Sequence, residues 1–381
     1  MRDNTRLIHG YEVFDEQTGA SSIPIYQCST FKQTSIRQDQ PYTYSRFGNP
    51  TRRALEEGIA SIEGGRFASA FSSGMGAISA VLLSFSRGDH LVMGKSIYGG
   101  TFQLVNEVLQ RFGIKVSFVD ETDLDQWRQA IRPNTKALYL ETPSNPLLQI
   151  TDITSVVSIA KESQLTTIID NTFMTPLLQK PLELGVDLVI HSATKFINGH
   201  SDVVAGLVVT DDPEWAEQIK LQQKVLGSML GVEDCWLIMR GMKTLGLRMQ
   251  QSCQSAEAIS HFLAKQPQVR NVYYPGLPSH PGYAIHQKQA KNGGAVLSFE
   301  LANQQAVYSF ADAVKLPIAA VSLGGVESIL SYPVTMSHAC VPKEEREKQG
   351  VTEGLLRLSV GIEETEDLLG DLAQALEKID Q

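Results

Sequence analysis

From Phe67 to Thr210 the chain alternates between short apolar runs and helical patterns. The runs are FASAFSS, HLVMG, KVSFVD, KALYLET, TTIIDNT, VDLVIHSAT and VVAGLVVT. Apolar runs this short, separated by turn signals, read as strands buried on both faces. Between them GMGAISAVLLSFSRGD reads as a helix ended by Gly88, TFQLVNEVLQRFG as one stopped by Gly113, and ITSVVSIAKESQ as a third. Just upstream, NPTRRALEEGIASIEG has a Pro-Thr start and Gly64 after its last apolar position, so both helix ends are marked. Strands alternating with helices in this way build a mostly parallel sheet covered on both faces. The predicted fold class is α/β.

The alternation has limits at both ends. Residues 1–45 lack helical periodicity and are rich in Thr, Ser, Gln and Pro. Compact domains rarely hold so long an irregular segment, so these residues read as an extended arm that packs on another body, such as a second subunit. From about Trp236 the pattern changes again. WLIMRGMKTLGLRMQQSCQSAEAISHFLAKQ is a long helical stretch that Gly241 or Gly246 would break, and NVYYPGLPSHPGY is a Pro/Gly loop. GAVLSFEL, AAVSLGG and LLRLSVGIE read as strands, with helices at QQAVYSFADAV and the C-terminus. The chain divides into an arm (1–45), a large domain (46–238) and a smaller α+β domain (239–381). Its 381 residues agree with two or three domains, at ~100–200 residues each.

Composition narrows the function. A net charge of −9, with no basic run longer than Arg52-Arg53, argues against nucleic acid or an anionic membrane as partner. No apolar stretch reaches the ~18 residues of a spanning helix, and MRDNTRLIHGYEVFDE lacks the apolar core of a secretory signal. Cys28, Cys235, Cys253 and Cys340 form no C-x-x-C pair, which fits a reducing cytoplasm and neither a disulfide frame nor a metal site. None of the eight histidines forms a ligand cluster. His191 reads as a packing residue, and no Ser-His-Asp pattern is present. A cytoplasmic enzyme is the expectation.

In an open α/β sheet, ligands bind beyond the carboxyl ends of the strands. Three polar groups fall there: Glu141 and Asn145 in LETPSNP, Asp170 and Thr172 in IIDNTF, and Ser192, Thr194 and Lys195 in HSATKF. One such group merely turns the chain; three in succession, ending in a lysine, point to a site. An amine that forms a Schiff base is one chemistry that needs a lysine and an acid without a metal. A carboxylate facing a pyridinium nitrogen, with a lysine on the carbonyl carbon, is the arrangement for pyridoxal phosphate. Asp170 follows the apolar TTII, where an unpaired charge is costly and a pyridinium would relieve the cost. Ser72, Ser73 and Gly74 precede a helix, whose N-terminus suits a phosphate but equally an ordinary serine cap. Tyr98 could stack on a flat ring or anchor its loop. Arg46, beside Tyr44 on the arm, suits a phosphate or a solvated turn. Arg357 lies inside an apolar strand, where its charge calls for an anion such as a substrate carboxylate. Two look-alikes fail: Gly74-x-Gly76 lacks the third glycine of a dinucleotide fingerprint, and GDHLVMGKS has five residues between its glycines where a P-loop has four.

The segments YSRFGNPTR, SSGM, YGGT, ETPSNP, DNTF, HSATKFINGHSDVVAG, SLGGVESI and LRLSVGIE occur in this order. With them the chain resembles, over essentially its whole length, the pyridoxal-phosphate enzymes of cysteine and methionine metabolism: cystathionine β-lyase, γ-lyase and γ-synthase, and methionine γ-lyase. The resemblance implies pyridoxal-phosphate fold type I, as in aspartate aminotransferase, and a homotetramer of two active dimers whose sites are shared between subunits. Carried over, Lys195 is the Schiff-base lysine and Asp170 the partner of the ring nitrogen. Tyr98 is the stacking tyrosine, and it and Lys195 are the catalytic pair. Gly74, Met75, Ser192 and Thr194 bind the phosphate, which Tyr44 and Arg46 reach from the neighbouring subunit. Ser322 and Arg357 bind the substrate carboxylate, with Asn145 near the ring oxygen or that carboxylate. The chain departs from methionine γ-lyases, which carry a cysteine where Gly100 stands. It departs from many γ-enzymes, which carry an acid where Val321 stands. VSLGGVESILSYPVTMSHA is most similar to cystathionine β-lyases of Gram-positive bacteria. The implied activity is cleavage of L-cystathionine to homocysteine, pyruvate and ammonia. The γ-lyase, a γ-replacement enzyme and a non-catalytic pyridoxal-phosphate protein are the alternatives.

Overall fold

The structure, a computed structural model, describes residues 1–11, 14–36, 40–337, 339 and 343–379. Seven strands form the larger sheet: β1 (Phe67–Phe71), β2 (His90–Gly94), β3 (Lys115–Val119), β4 (Thr135–Glu141), β5 (Thr166–Asp170), β6 (Leu188–Ser192) and β7 (Gly206–Thr210). Their order is β1-β7-β6-β5-β4-β2-β3. Only β7 runs against its neighbours. Side chains alternate between the faces. Leu91, Met93, Tyr139, Ile168 and Ile190 pack with Ile78 and Val81 of the helix Gly74–Leu82. Val92, Leu138, Leu140, Ile169 and Val189 pack with Trp127 and the helix Ile153–Glu162. Both faces are dry, as the apolar runs require, and the carboxyl ends of β1, β2, β4, β5 and β6 open on one edge.

The smaller sheet comprises β8 (Asn271–Tyr273), β9 (Val296–Glu300), β10 (Ile318–Ala319), β11 (Ile329–Ser331) and β12 (Leu355–Ser359), in the order β10-β11-β12-β9-β8. Leu356 and Leu358 face a core with Phe299, Phe310 and Leu372. Arg357, between them, points to the opposite face, as does Ser298 across the β9–β12 register. That face meets the loop that follows β4, for Ser298 Oγ donates to the Pro146 carbonyl at 2.6 Å.

Several expected boundaries move. The helix at Gly74 stops at Leu82, well before Gly88, and a turn fills the interval. The stretch before Gly113 is helical throughout, but a π turn (Leu104–Val108) and a 3-10 turn (Leu109–Phe112) follow its first α turn. AAVSLGG contributes only Ala319 to the sheet, as the second residue of β10; Val321 to Gly325 form a loop. The long helical stretch does break, but at Lys243–Thr244, between the helices Val232–Met242 and Leu245–Leu263. Its glycines serve close approach instead. A Cβ on Gly241 would lie 2.3 Å from the Asn198 carbonyl oxygen, and one on Gly246 2.1 Å from the Asn4 side chain. The arm is not wholly extended, since Asp3–His9 is a helix whose Leu7 is buried. The helices Tyr283–Gln289 and Lys343–Lys348 and the short strands β8 and β11 had no clear sequence signal.

His191 is a packing residue as expected: its Nε2 lies 2.6 Å from Glu63 Oε2 with both side chains fully buried. No helix of the described residues is long and apolar enough to cross a membrane. Cys28, Cys235 and Cys253 are free thiols, while Cys340 lies outside the described residues, as does His338 of the SYPVTMSHA segment.

One contact tests how tightly the site edge is built. Gly206 opens β7 opposite Ser192, and a Cβ there would sit 2.1 Å from the Ser73 carbonyl oxygen. Gly206→Ala should force that backbone apart and destabilise the protein by ~1–3 kcal/mol, the range for overpacking. An unchanged urea midpoint would show that the contact has slack.

Candidate active site

The edge where the five strands end holds a cavity of about 500 Å³. After β1, Ser73 caps the helix Gly74–Leu82, its Oγ accepting from Gly76 N at 2.9 Å. The first-turn amides of Gly74 and Met75 have no acceptor within the helix, and both residues line the cavity. Gly74 lies tightly against the end of β6, since a Cβ there would approach Ser192 Cβ to 3.0 Å. Ser192 ends β6, and its backbone N–H donates to Thr172 Oγ1 at 2.8 Å. Thr194 Oγ1 accepts from Ala205 N at 2.9 Å, pinning the turn that carries Lys195.

One side of the cavity is acidic. Asp170 ends β5 beside Glu141, the last residue of β4. Thr172 donates its N–H (3.0 Å) and its hydroxyl (2.6 Å) to the same oxygen, Asp170 Oδ1. Burial pushes the Asp170 carboxyl up, against these bonds and the nearby His191. Burial and the charge of Asp170 push Glu141 well above the ordinary carboxyl range. Two buried carboxyls side by side cannot both ionise cheaply, and a cation set against Asp170 would relieve the pair.

Another part of the lining is cationic. Arg357 is 3% exposed. Its Nη1 donates to Asn145 Oδ1 at 2.9 Å and its Nη2 to the Ser322 carbonyl (2.6 Å) and Ser331 Oγ (3.1 Å). No partner carries a negative charge, and Nε is buried without an acceptor among the described residues. Lys195 Nζ donates to Ser322 Oγ. Burial and the charge of Arg357 bring the Lys195 amine from 10.5 to about 8. Ser322 holds a positive φ of 89°, a strained backbone for serine. The following loop is braced by Gly324, whose N–H donates to Ser359 Oγ at 2.8 Å. A Cβ on Gly324 would strike Phe196 N at 2.6 Å, so glycine lets this loop lie directly on the Lys195 turn.

Ten expected site residues line this one cavity: Gly74, Met75, Tyr98, Asn145, Asp170, Ser192, Thr194, Lys195, Ser322 and Arg357. Tyr44 and Arg46 do not. They lie on the arm, where Arg46 Nη1 donates to the Lys224 carbonyl at 3.0 Å and the guanidinium lies over the rings of Tyr44 and Phe47. Sequence reasoning missed Ser331 and Ser359, which brace Arg357 and the Ser322 loop. Nothing in SILS or LRLSVG sets these serines apart from ordinary strand residues.

The donor set fits pyridoxal phosphate. An open helix N-terminus beside Ser192 and Thr194 suits a dianionic phosphate. Asp170 suits a protonated ring nitrogen, Tyr98 a flat ring, and Lys195 the carbonyl carbon. The orphaned Arg357 Nε and the charge on that guanidinium suit a substrate carboxylate.

Comparison with known proteins agrees. Residues 4–377 match the family described as Cys/Met metabolism PLP-dependent enzyme. The chain is 55% identical over 375 residues to cystathionine beta-lyase MetC of Bacillus subtilis (strain 168), covering 98% of this chain and 96% of that one. It is 50% identical to the cystathionine gamma-lyase of the same organism, over the full length of both. The crystal structure of cystathionine gamma-lyase from Lactobacillus plantarum complexed with L-serine superposes with a TM-score of 0.97 at 47% identity, covering both chains fully.

The lowered amine is directly measurable. In the cofactor-free protein, acylation of Lys195 followed by peptide mass spectrometry should rise with pH about a midpoint near 8, because only the neutral amine reacts. Replacing Arg357 by Met should move the midpoint upward. A midpoint at the ordinary 10.5 in the wild-type protein would remove the electrostatic argument.

Proposed function

The chain belongs to the PLP-dependent enzymes of cysteine and methionine metabolism, and from that premise we propose that it is a carbon-sulfur lyase acting as a cystathionine β-lyase. L-Cystathionine and water become homocysteine, pyruvate and ammonia. The observation that carries the reading is the convergence of Lys195, Arg357 and Asp170 on one cavity. The 55% identity to a cystathionine beta-lyase supports the substrate and the bond broken.

Bound pyridoxal phosphate supplies an electron-withdrawing pyridinium ring that delocalises the electron pair left at Cα when its proton departs. The chain's own residues do the rest. Gly74 and Met75 offer backbone N–H groups, and Ser192 and Thr194 side chains, to the phosphate. Asp170 holds the proton on the ring nitrogen, and Tyr98 covers the ring face. Arg357 takes the α-carboxylate in a planar fork. Asn145 and Ser322 orient that fork, which sets the Cα–H bond toward Lys195. Lys195 Nζ, with its basicity lowered to about 8 by burial and by Arg357, takes the α-proton near neutral pH. Breaking the Cβ–S bond then releases homocysteine.

Residues 46–238 form the cofactor domain and 239–381 the substrate domain in this reading. The arm, residues 1–45, which carries Tyr44, and the adjoining Arg46 complete the site of a neighbouring subunit within a homotetramer of two active dimers. Tyr44 and Arg46 are absent from their own chain's cavity, and the arm leaves Ile25, Tyr26, Ile36, Tyr44 and Phe47 exposed; both facts favour a shared site. The compartment that fits three free thiols among the described residues is the cytoplasm. A γ-lyase reading stays in view because of the 50% identity to a cystathionine gamma-lyase.

Product analysis decides between the two lyases. L-Cystathionine should yield pyruvate and homocysteine; 2-oxobutyrate and cysteine as main products would reassign the enzyme to γ-elimination. Lys195→Ala should abolish turnover. Arg357→Ala should lower kcat/KM by ~30-fold or more, since a truncated buried charge partner costs about 2 kcal/mol at least; an unchanged value would contradict its carboxylate role.

The shared site has its own test. Arg46→Ala should weaken cofactor retention and so lower activity at limiting cofactor, and mixing refolded Arg46→Ala and Lys195→Ala chains should raise activity there above that of either alone. Hybrid dimers then hold one site with both groups intact. No recovery on mixing would place Arg46 outside the neighbour's site.

A further inference from the structure

Glu141 lines the cavity and is 8% exposed, yet the proposed chemistry gives it no task. Its Oε2 accepts from the backbone N–H of Tyr98 at 2.7 Å. Tyr98 needs such an anchor. Its side chain is 43% exposed, and it stands between the end of β2 and the short helix Gly99–Gln103. Its ring lies close over Gly100, where an added Cβ would come within 2.6 Å of Tyr98 Cε1. The segment that carries it leaves the sheet at Gly94, and buried carboxyls replace the ladder it has lost: Ser96 N points at Glu121 Oε2 at 3.4 Å, and Tyr98 N at Glu141. Glu121 is 2% exposed.

We infer that Glu141 is a positioning residue: through the Tyr98 backbone N–H it fixes the ring that covers the cofactor. Position on the sheet explains why a carboxyl is used. Glu141 ends β4, the strand paired with β2, and there its carboxyl takes the Tyr98 N–H. Asp170 stands directly beside it in the β4–β5 register. The anchor of Tyr98 is thereby tied to the strand pair that carries the ring-nitrogen partner, so the ring's face and its edge are located from one rigid edge. An acid–base role toward substrate is the competing assignment, and the bond to Tyr98 already occupies Oε2.

The inference rests on the reading of Tyr98 as the ring's cover, so the experiment separates the two. Glu141→Ala, Glu141→Gln, Tyr98→Ala and the double variant Glu141→Ala/Tyr98→Ala are compared by amide hydrogen exchange of residues 96–103 in the cofactor-free protein. The pyridoxal phosphate dissociation constant of each is then measured. Glu141→Leu, which lacks the acceptor but fills the space, replaces the alanine variant if that does not fold. Loss of the acceptor should speed exchange at Tyr98 and weaken cofactor binding by about tenfold, the cost of one unmade buried hydrogen bond. Gln, which keeps an acceptor, should stay within about threefold on both readouts. In the Tyr98→Ala background, Glu141→Ala should cost no further affinity, because the two act as a unit. Unchanged exchange in Glu141→Ala, or affinity losses that multiply in the double variant, would overturn the inference. So would a Gln variant that keeps exchange and affinity but loses turnover, which would mark an acid–base role. Unchanged affinity in Tyr98→Ala would instead overturn the stacking role, while exchange in Glu141→Ala still decides the anchor.

Discussion

The guanidinium of Arg357 sits where the two sheets meet, and the cavity takes its shape from that contact. Its bonds reach Asn145 from the larger domain, the Ser322 carbonyl from the strained loop, and Ser331 from β11. An arginine inside an apolar strand with only neutral partners is expensive, because desolvating a cation costs several kcal/mol even after relaxation. The cost shows in the guanidinium itself, drawn down to about 10 by burial. Burial first, and the same charge second, make Lys195 hold its proton weakly. One buried cation therefore joins the domains, lowers the neighbouring amine and awaits an anion.

The far side of the cavity has the complementary imbalance. Asp170 and Glu141 end adjacent strands with their carboxyls buried, and burial raises both. An apolar ring bearing a positive charge at one edge and a phosphate at another would satisfy Asp170, the helix N-terminus and Lys195 together. Each of the three is destabilising or unsatisfied in isolation. Sites organised this way bind one ligand shape well, because the polar groups are held by strands and braced by second partners. Thr172 braces Asp170, Thr194 braces the Lys195 turn, and Ser359 braces the Ser322 loop.

Strong local patterns were legible in the sequence, and features made by distant contacts were not. All seven strands of the larger sheet coincide with apolar runs, because a strand buried on both faces cannot hide its composition. The helix Pro50–Glu63 was readable from its ends: Asn49 caps Thr51 N at 2.9 Å, and Gly64 takes φ +86°. By contrast, Gly241 and Gly246 looked like breaks and are contact points, a distinction set by Asn198 and Asn4 far away in sequence. β8 and β11 have only three residues each and hold their shape from pairing with longer neighbours. The strand-end acids and Lys195 were visible from position alone. Their mutual electrostatics, and the anchoring of Tyr98 by Glu141, needed coordinates.

Similarity to both a cystathionine beta-lyase and a cystathionine gamma-lyase has a physical reading. Removal of the α-proton is common to both eliminations, and the residues proposed for it are Lys195, Arg357, Asn145 and Asp170, all of which line one cavity. The routes part only afterwards, when γ-elimination needs a second proton taken from Cβ before sulfur leaves. Lys195 is placed to serve either step, so the unit around it cannot choose between them. The choice must fall to the part of the wall that sees the substrate beyond Cβ. Gln103, Met336 and Ser337 also line the cavity, together with Val321, which is 66% exposed. Those four side chains carry no ionised group, so a hold by them on a distal chain would be one of shape and hydrogen bonding. A wall of that kind changes the orientation of a flexible thioether by small increments of energy. A preference between β- and γ-cleavage built on it is a matter of degree, which is how two differently named relatives can share half of their residues with this chain.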